Sequence, residues 1–183
     1  MKQLEIEFKN LLTDKEFQML VEKFKISDNQ FYKQTNYYFD TADFQLKKLQ
    51  SALRIREKGG TFELTLKQPT TDGVGLLETN KNISEQAARK YLANGIVADE
   101  LTNIGEPMVC FGTLTTKRAE INYKGGILTF DISHYAGQTD YELEYEVSDF
   151  EKGKQIFDAL LSSVGIIVKP TANKLQRLAS ALL

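Results

Sequence analysis

Near its start the chain reads Leu4-Glu5-Ile6-Glu7-Phe8-Lys9, apolar and charged in unbroken alternation. A period of two is the mark of a β-strand with two unlike faces. Leu4, Ile6 and Phe8 need an apolar neighbour, whereas Glu5, Glu7 and Lys9 form a charged row. Same-face neighbours on a strand lie about 7 Å apart, so two carboxylates can converge on a cation between them and a lysine beside it can hold an anion. The pattern returns in Tyr141-Glu142-Leu143-Glu144-Tyr145-Glu146-Val147, with three carboxylates on one side.

Between these two stretches the alternation recurs. Strands are expected over Gln30–Asp40, Ser51–Lys58, Thr61–Lys67, Val74–Ile83, Met108–Tyr123 and Ile127–Tyr135. Leu53 and Ile55 oppose Arg54 and Arg56, and Phe62, Leu64 and Leu66 oppose Glu63, Thr65 and Lys67. Hairpin turns are expected at Gly59-Gly60, at Lys124-Gly125-Gly126 and over Gly137–Asp140. Thr13-Asp14-Lys15-Glu16 is a capping box that opens a helix carrying Phe17, Leu20, Val21 and Phe24 on one stripe. Helical segments follow from Ser84 to Ala93, Ala98 to Asn103, Phe150 to Val164 and Thr171 to Leu182, with a short helix or turn over Thr41–Gln50.

Strands joined by tight turns predict an antiparallel sheet that closes on itself. The helices carry apolar stripes and must cover something apolar, so the apolar side of the sheet belongs under them and the charged side faces the interior. The expected fold class is α+β: an eight-stranded antiparallel closed β-barrel, a tunnel with a polar interior, covered outside by amphipathic helices, in a single domain over residues 1–183. An outer-membrane barrel has the same parity, but amphipathic helices need a soluble surface to pack on. A lipocalin-type barrel would put the apolar face inside and leave the helices nothing to cover.

The formal net charge of -2 provides no large basic field, which speaks against nucleic acid as a partner. One cysteine, Cys110, permits no internal disulfide. Charged residues interrupt the first segment, and no apolar run reaches the roughly 20 residues of a membrane helix. A cytoplasmic protein without a membrane partner, monomeric or homodimeric, is the expectation.

By parity the inward acids are Glu5, Glu7, Glu63, Glu78, Asp131, Glu142, Glu144 and Glu146, and the inward bases are Lys9, Arg54, Arg56, Lys67 and Arg118. An excess of buried carboxylate is expensive unless cations join it. Carboxylates without His or Cys are hard ligands and point to Mg2+ or Mn2+. Arginine and lysine presented together suit phosphate oxygens. Both sets on one face are what phosphoryl transfer requires. For a single strand, a solvated charged face would be the simpler reading; several strands sharing the pattern, with helices claiming the opposite side, favour the interior.

These residues resemble a known family. Glu5-Ile6-Glu7-Phe8-Lys9 is similar to the Glu-x-Glu-x-Lys signature of the CYTH superfamily, the triphosphate tunnel metalloenzymes that include class IV adenylyl cyclase and thiamine triphosphatase. Tyr38-Phe39-Asp40-Thr41, Leu53-Arg54-Ile55-Arg56, Leu64-Thr65-Leu66-Lys67, Glu78, Arg118, Asp131 and Glu142-x-Glu144-x-Glu146 follow in the family's order. The resemblance spans essentially the whole chain and is greatest to small stand-alone bacterial members. It implies a tunnel that binds a triphosphate with divalent metal. Carried over, Glu5, Glu7, Glu142 and Glu144 are metal ligands. Glu78, Asp131 and Glu146 are ligands of the same or a second metal, or groups that position water. Lys9, Arg54, Arg56, Lys67 and Arg118 are triphosphate contacts, with Glu5, Glu7, Lys9 and Lys67 closest to the chemistry. Lys174 and Arg177 on the last helix resemble the family's C-terminal basic pair; a solvated helix face explains them equally well.

The expected function is metal-dependent hydrolysis of tripolyphosphate or a related triphosphate. Adenylyl cyclase, thiamine triphosphatase and a non-catalytic polyphosphate or nucleotide sensor are the alternatives. His134 and Cys110 have no catalytic partner in the sequence and are read as structural, and Tyr38 as either lining the tunnel or packing.

Overall fold

The computed structural model describes residues 2–71 and 73–182, without the side chains of Asp99 and Glu100. The strands are β1 (Lys2–Leu12), β2 (Tyr32–Asp40), β3 (Ala52–Lys58), β4 (Thr61–Pro69), β5 (Leu76–Ile83), β6 (Val109–Tyr123), β7 (Gly126–Tyr135) and β8 (Gln138–Val147). The helices are α1 (Asp14–Lys23), α2 (Gln45–Lys48), α3 (Glu85–Asn94), α4 (Asp99–Thr102), α5 (Phe150–Ser163) and α6 (Lys174–Leu182). In hydrogen-bonding order the strands run β1-β5-β4-β3-β2-β6-β7-β8 and the circuit closes into a barrel. The expected α+β class with an antiparallel closed barrel is the observed one.

The residues gather into two compact bodies. One holds Gln34–Thr115 and α6; the other holds Glu5–Lys33 and Thr116–Asn173. In the first, Phe39, Leu53, Ile55, Leu64 and Leu66 of β2, β3 and β4 make the core with Leu46 of α2 and Ala88 of α3. In the second, Leu128, Phe130, Leu143 and Tyr145 of β7 and β8 pack with Phe17 and Leu20 of α1 and Phe157, Leu160 and Leu161 of α5. Each such side chain taken from water contributes about 1.5–3 kcal/mol. In both bodies the charged parity lies on the face opposite this core, which in a closed strand circuit is the inner one.

Local chemistry sets the element ends. At α1 the Thr13 N–H donates to Glu16 Oε2 (2.7 Å) and the Glu16 N–H to Thr13 Oγ1 (3.2 Å), the reciprocal cap read from sequence. Ser84 caps α3 through the Ala87 N–H (3.1 Å) and Asp149 caps α5 through the Lys152 N–H (3.0 Å). The β3–β4 turn uses Gly59 (φ 55°) and Gly60 (φ 78°) as expected.

Several expectations move. Two hairpin turns are shorter than glycine spacing suggests. Lys124 (φ 45°) and Gly125 (φ 87°) form one, and Ala136 (φ 46°) and Gly137 (φ 74°) the other, so Gly126 already belongs to β7 and β8 begins at Gln138. Each places a non-glycine first in a two-residue turn with left-handed backbone. Leu4 is 55% exposed, so the apolar row of β1 begins at Ile6. Gln30, expected to open the second strand, instead ends a 3-10 turn over residues 28–30 that Ser27 and Gln30 cap reciprocally, and β2 begins at Tyr32. The last helix starts at Lys174, three residues later than expected.

Candidate active site

Antiparallel register puts directly opposite residues on the same face. In the first body Arg54 stands opposite Tyr38 on β2 and Thr65 on β4, and Arg56 stands opposite Asn36 and Glu63. Lys67 stands opposite Glu78. The Arg56 Nε–H donates to Asn36 Oδ1 (3.1 Å), which fixes the guanidinium along the strand. Lys67 and Glu78 form an ion pair, and Asn80 Nδ2 donates to the other Glu78 oxygen (3.4 Å). Burial by itself pushes the Glu78 carboxyl up, but the charges of Lys67 and Arg54 outweigh it and hold the carboxyl at about 2. The Arg54 Nε–H is buried and has no hydrogen-bond partner among the described residues. A buried donor of that kind is costly unless something supplies an acceptor. Tyr38 lies on this face, 4% exposed.

α6 belongs to the same body. Its Leu178 and Leu182 press on Gly112 of β6, where an added Cβ would stand 2.9 Å from Leu178 Cδ2 and 2.8 Å from Leu182 Cδ1. Lys174 and Arg177 are half-buried, which departs from a plain solvated helix face.

The second body carries the acids. Across β1 and β8, Glu7 is opposite Glu146 and Lys9 opposite Glu144; across β7 and β8, Asp131 is opposite Glu142. Lys9 also pairs with Glu7 at 2.5 Å. Asp131 and Glu142 are fully buried and Glu144 nearly so. Glu5 lies on the same β1 parity and is half-buried. Arg118 of β6 enters this group: its Nε–H donates to Asp131 Oδ1 (2.8 Å), and Nη2 donates to Asp131 Oδ2 (2.5 Å) and to Glu144 Oε2 (2.7 Å). Burial alone would lower the Arg118 pKa, but Asp131 and Glu144 outweigh it and raise it well above the ordinary value.

The expected residues thus come together as two groups: a mostly basic one with Arg54, Arg56, Lys67, Glu63 and Glu78, and a mostly acidic one with Glu5, Glu7, Asp131, Glu142, Glu144 and Glu146 beside Lys9 and Arg118. Glu78, expected among metal ligands, sits in the basic group. Among the described residues, no group of three or more His, Cys, Asp or Glu side chains is gathered tightly enough to hold a metal ion. The donor set nevertheless fits a hard divalent cation. Like charges directly opposite on a ladder repel, and Glu7 with Glu146 and Asp131 with Glu142 are two such pairs. All their donors are carboxylate oxygens, as Mg2+ or Mn2+ requires.

Charge counting passed over Asn36 and Asn80, which are neutral yet orient Arg56 and Glu78. It also passed over Asp140, which continues the β8 parity and pairs with Ser133 in register and with the Tyr135 hydroxyl. The sequence signal was present, since Asp140-Tyr141-Glu142 extends the alternation. His134 is exposed and bonds Thr139, and Cys110 is a half-buried free thiol that packs against the first core. Neither joins the site.

A CYTH domain family model matches residues 3–179. The Bacillus subtilis (strain 168) protein "Putative triphosphatase YjbK" is 40% identical over 181 residues, which is 96% of this chain and 94% of the relative. A solved structure from Bacillus halodurans, described as a "putative adenylate cyclase", is 43% identical with a TM-score of 0.89, covering 96% of this chain and 97% of its own. HpAC1 from Hippeastrum, described as an adenylyl cyclase candidate that reveals a dominant triphosphatase activity, is 28% identical with a TM-score of 0.79, covering 98% and 97%. With a family model spanning nearly all of its length and a relative at 40% identity, this chain belongs to the CYTH domain family.

Proposed function

We propose that the chain hydrolyses tripolyphosphate, or another compound bearing a triphosphate, with the help of a divalent cation. The observation that carries this reading is the buried Arg54 Nε–H without an acceptor, set in a row of fixed cations. Arg54 and Arg56 grip phosphate oxygens with their planar forks. Lys67, steadied by Glu78, and Lys9, steadied by Glu7, place point charges where negative charge grows on the departing phosphate. Lys174 and Arg177 add to the phosphate contacts from α6. Glu5, Glu7, Glu142 and Glu144 would hold Mg2+ or Mn2+, with Glu146, Asp131 and Glu78 as further ligands or as acceptors for water. Such a cation would neutralise phosphate oxygens and make a bound water more acidic.

The description of HpAC1 as dominantly a triphosphatase favours hydrolysis over cyclisation for a chain of this family. The test is purified protein with tripolyphosphate and Mg2+ or Mn2+, reading released phosphate, and with ATP, reading cyclic AMP. Phosphate release without cyclic AMP is expected. No release with either metal from neutral to alkaline pH would overturn the hydrolase, and cyclic AMP as the main product would replace it with a cyclase.

A further inference from the structure

The Asn36 amide has two ends, and contacts within the protein use one of them. Asn36 lies on β2 opposite Arg56, in the same body, and is only 2% exposed. Its Oδ1 accepts from the Arg56 Nε–H (3.1 Å), and that bond fixes which way the amide faces. Its Nδ2 carries two N–H donors and has no hydrogen-bond partner among the described residues. Asn80 on β5 shows the contrast, because its Nδ2 donates to Glu78 Oε2 (3.4 Å). A donor removed from water without an acceptor is costly, and native proteins seldom leave one so.

A second donor of this kind lies beside the first. Arg54 is opposite Tyr38, two residues along β3 from Arg56, so it is diagonal to Asn36 on the same face. Diagonal neighbours on a ladder are about 7–8 Å apart, within reach of long side chains. The Arg54 Nε–H is buried and has no partner among the described residues either. An acid at position 36 would hold Arg56 more tightly, but it would offset the arginine's charge and repel an anion. The amide holds Arg56, adds no charge and keeps a donor in reserve. That combination suits a ligand rich in oxyanion acceptors.

We propose that Asn36 is a substrate contact: Nδ2 donates to an oxygen of the bound triphosphate while Oδ1 keeps Arg56 in place. This rests on the proposed triphosphate reading and deepens it.

The experiment adds tripolyphosphate, in EDTA, to 15N-labelled wild type and follows the assigned side-chain amide resonance of Asn36. One Nδ2 proton should move downfield and exchange more slowly with water. Calorimetry under the same conditions compares the wild type with Asn36→Ala and Asn36→Asp, with melting curves to report the fold. Asn36→Ala removes the donor and should weaken binding about tenfold, the loss of one hydrogen bond to a charged acceptor. Asn36→Asp keeps the oxygen that Arg56 uses but puts a carboxylate oxygen where the donor stood, and should bind more weakly still. An Asn36 resonance that stays in place at saturating tripolyphosphate overturns the inference, whether or not the variants fold. Binding by Asn36→Asp equal to or tighter than that of Asn36→Ala also overturns it, leaving Asn36 as a residue that only orients Arg56. A wild type that binds no tripolyphosphate overturns the triphosphate reading together with this one. A wild type in which the Asn36 proton moves, yet which releases no phosphate once metal is added, supports the contact and overturns the hydrolase alone.

Discussion

Lys67 on β4 and Glu78 on β5 face each other directly across the ladder and form an ion pair, with Glu78 almost wholly buried. The folded carboxyl titrates at about 2, because the charges of Lys67 and Arg54 overcome burial, against an ordinary value of 4.5. A depressed carboxyl stabilises the fold above the unfolded value, and that stabilisation disappears as pH falls through the folded one. The wild type should therefore lose stability between pH 4.5 and about 2. Glu78→Gln should lose less over that window, and at neutral pH it should be about 1–3 kcal/mol less stable, because Lys67 loses its counter-charge. Urea unfolding at stepped pH measures both.

Arg54 offers a separate test. Its buried Nε–H has no acceptor among the described residues, so the folded protein gains little from it. Arg54→Gln should raise KM for tripolyphosphate about 10- to 100-fold, the loss of one charge-assisted contact. Its melting temperature should fall only slightly, because Glu78 loses one of the two positive charges that hold its carboxyl down but keeps Lys67. A melting temperature that falls steeply with KM unchanged would make Arg54 a structural residue.

Asp40 lies in the Tyr38-Phe39-Asp40-Thr41 run but holds the backbone rather than a ligand. Its carboxylate accepts from the N–H groups of Thr41 (2.8 Å), Leu46 (2.9 Å) and Lys47 (3.0 Å), closing the turn into α2. Asp40→Ala leaves three donors short of an acceptor and should cost about 2–3 kcal/mol in chemical denaturation. Turnover per folded molecule should be retained.

Gly112 is the seat of α6. Any side chain there collides with Leu178 and Leu182. Gly112→Val should loosen α6 and, with it, Lys174 and Arg177. Faster proteolysis of the C-terminal helix and a raised KM for tripolyphosphate are expected, with the cores of both bodies intact by circular dichroism.

Chelation separates chemistry from folding. Asp131 and Glu144 already have Arg118 as a counter-ion, so the acidic face does not depend on metal to fold. EDTA should abolish phosphate release while leaving far-ultraviolet circular dichroism unchanged, and added Mg2+ or Mn2+ should restore release.

Strand parity carried most of the fold because β-structure writes its two faces directly into adjacent residues: Glu7 with Phe8, Arg54 with Ile55, Glu144 with Tyr145. Helix starts at Thr13 and Ser84 are equally plain, since each cap is a local hydrogen bond. Partners far apart in sequence were not. Asn10 is fully buried on the apolar side of β1, where parity wants a hydrocarbon. Its amide donates to the Ile167 carbonyl (3.2 Å) and accepts from the Lys169 N–H (2.7 Å), a pairing across more than 150 residues that no local pattern announces. The ion pairs of Arg118 with Asp131 and Glu144 are hidden for the same reason, because those partners lie on other strands. Left-handed backbone at Lys124 and Ala136 went unread because glycine spacing alone does not say which residue leads the turn.

β1 is hydrogen-bonded to β8, the first strand made to the last. On the ribosome, Ile6 must therefore wait for Val147 through nearly the whole of synthesis, a contact of high sequence separation that slows ring closure. Until β8 arrives, the edge of β1 that does not pair with β5 stays open, the condition under which nascent chains stick to one another. Its glutamates and lysines guard it then, as charged gatekeepers against premature pairing, so the residues proposed for chemistry in the finished protein also keep the unfinished one soluble.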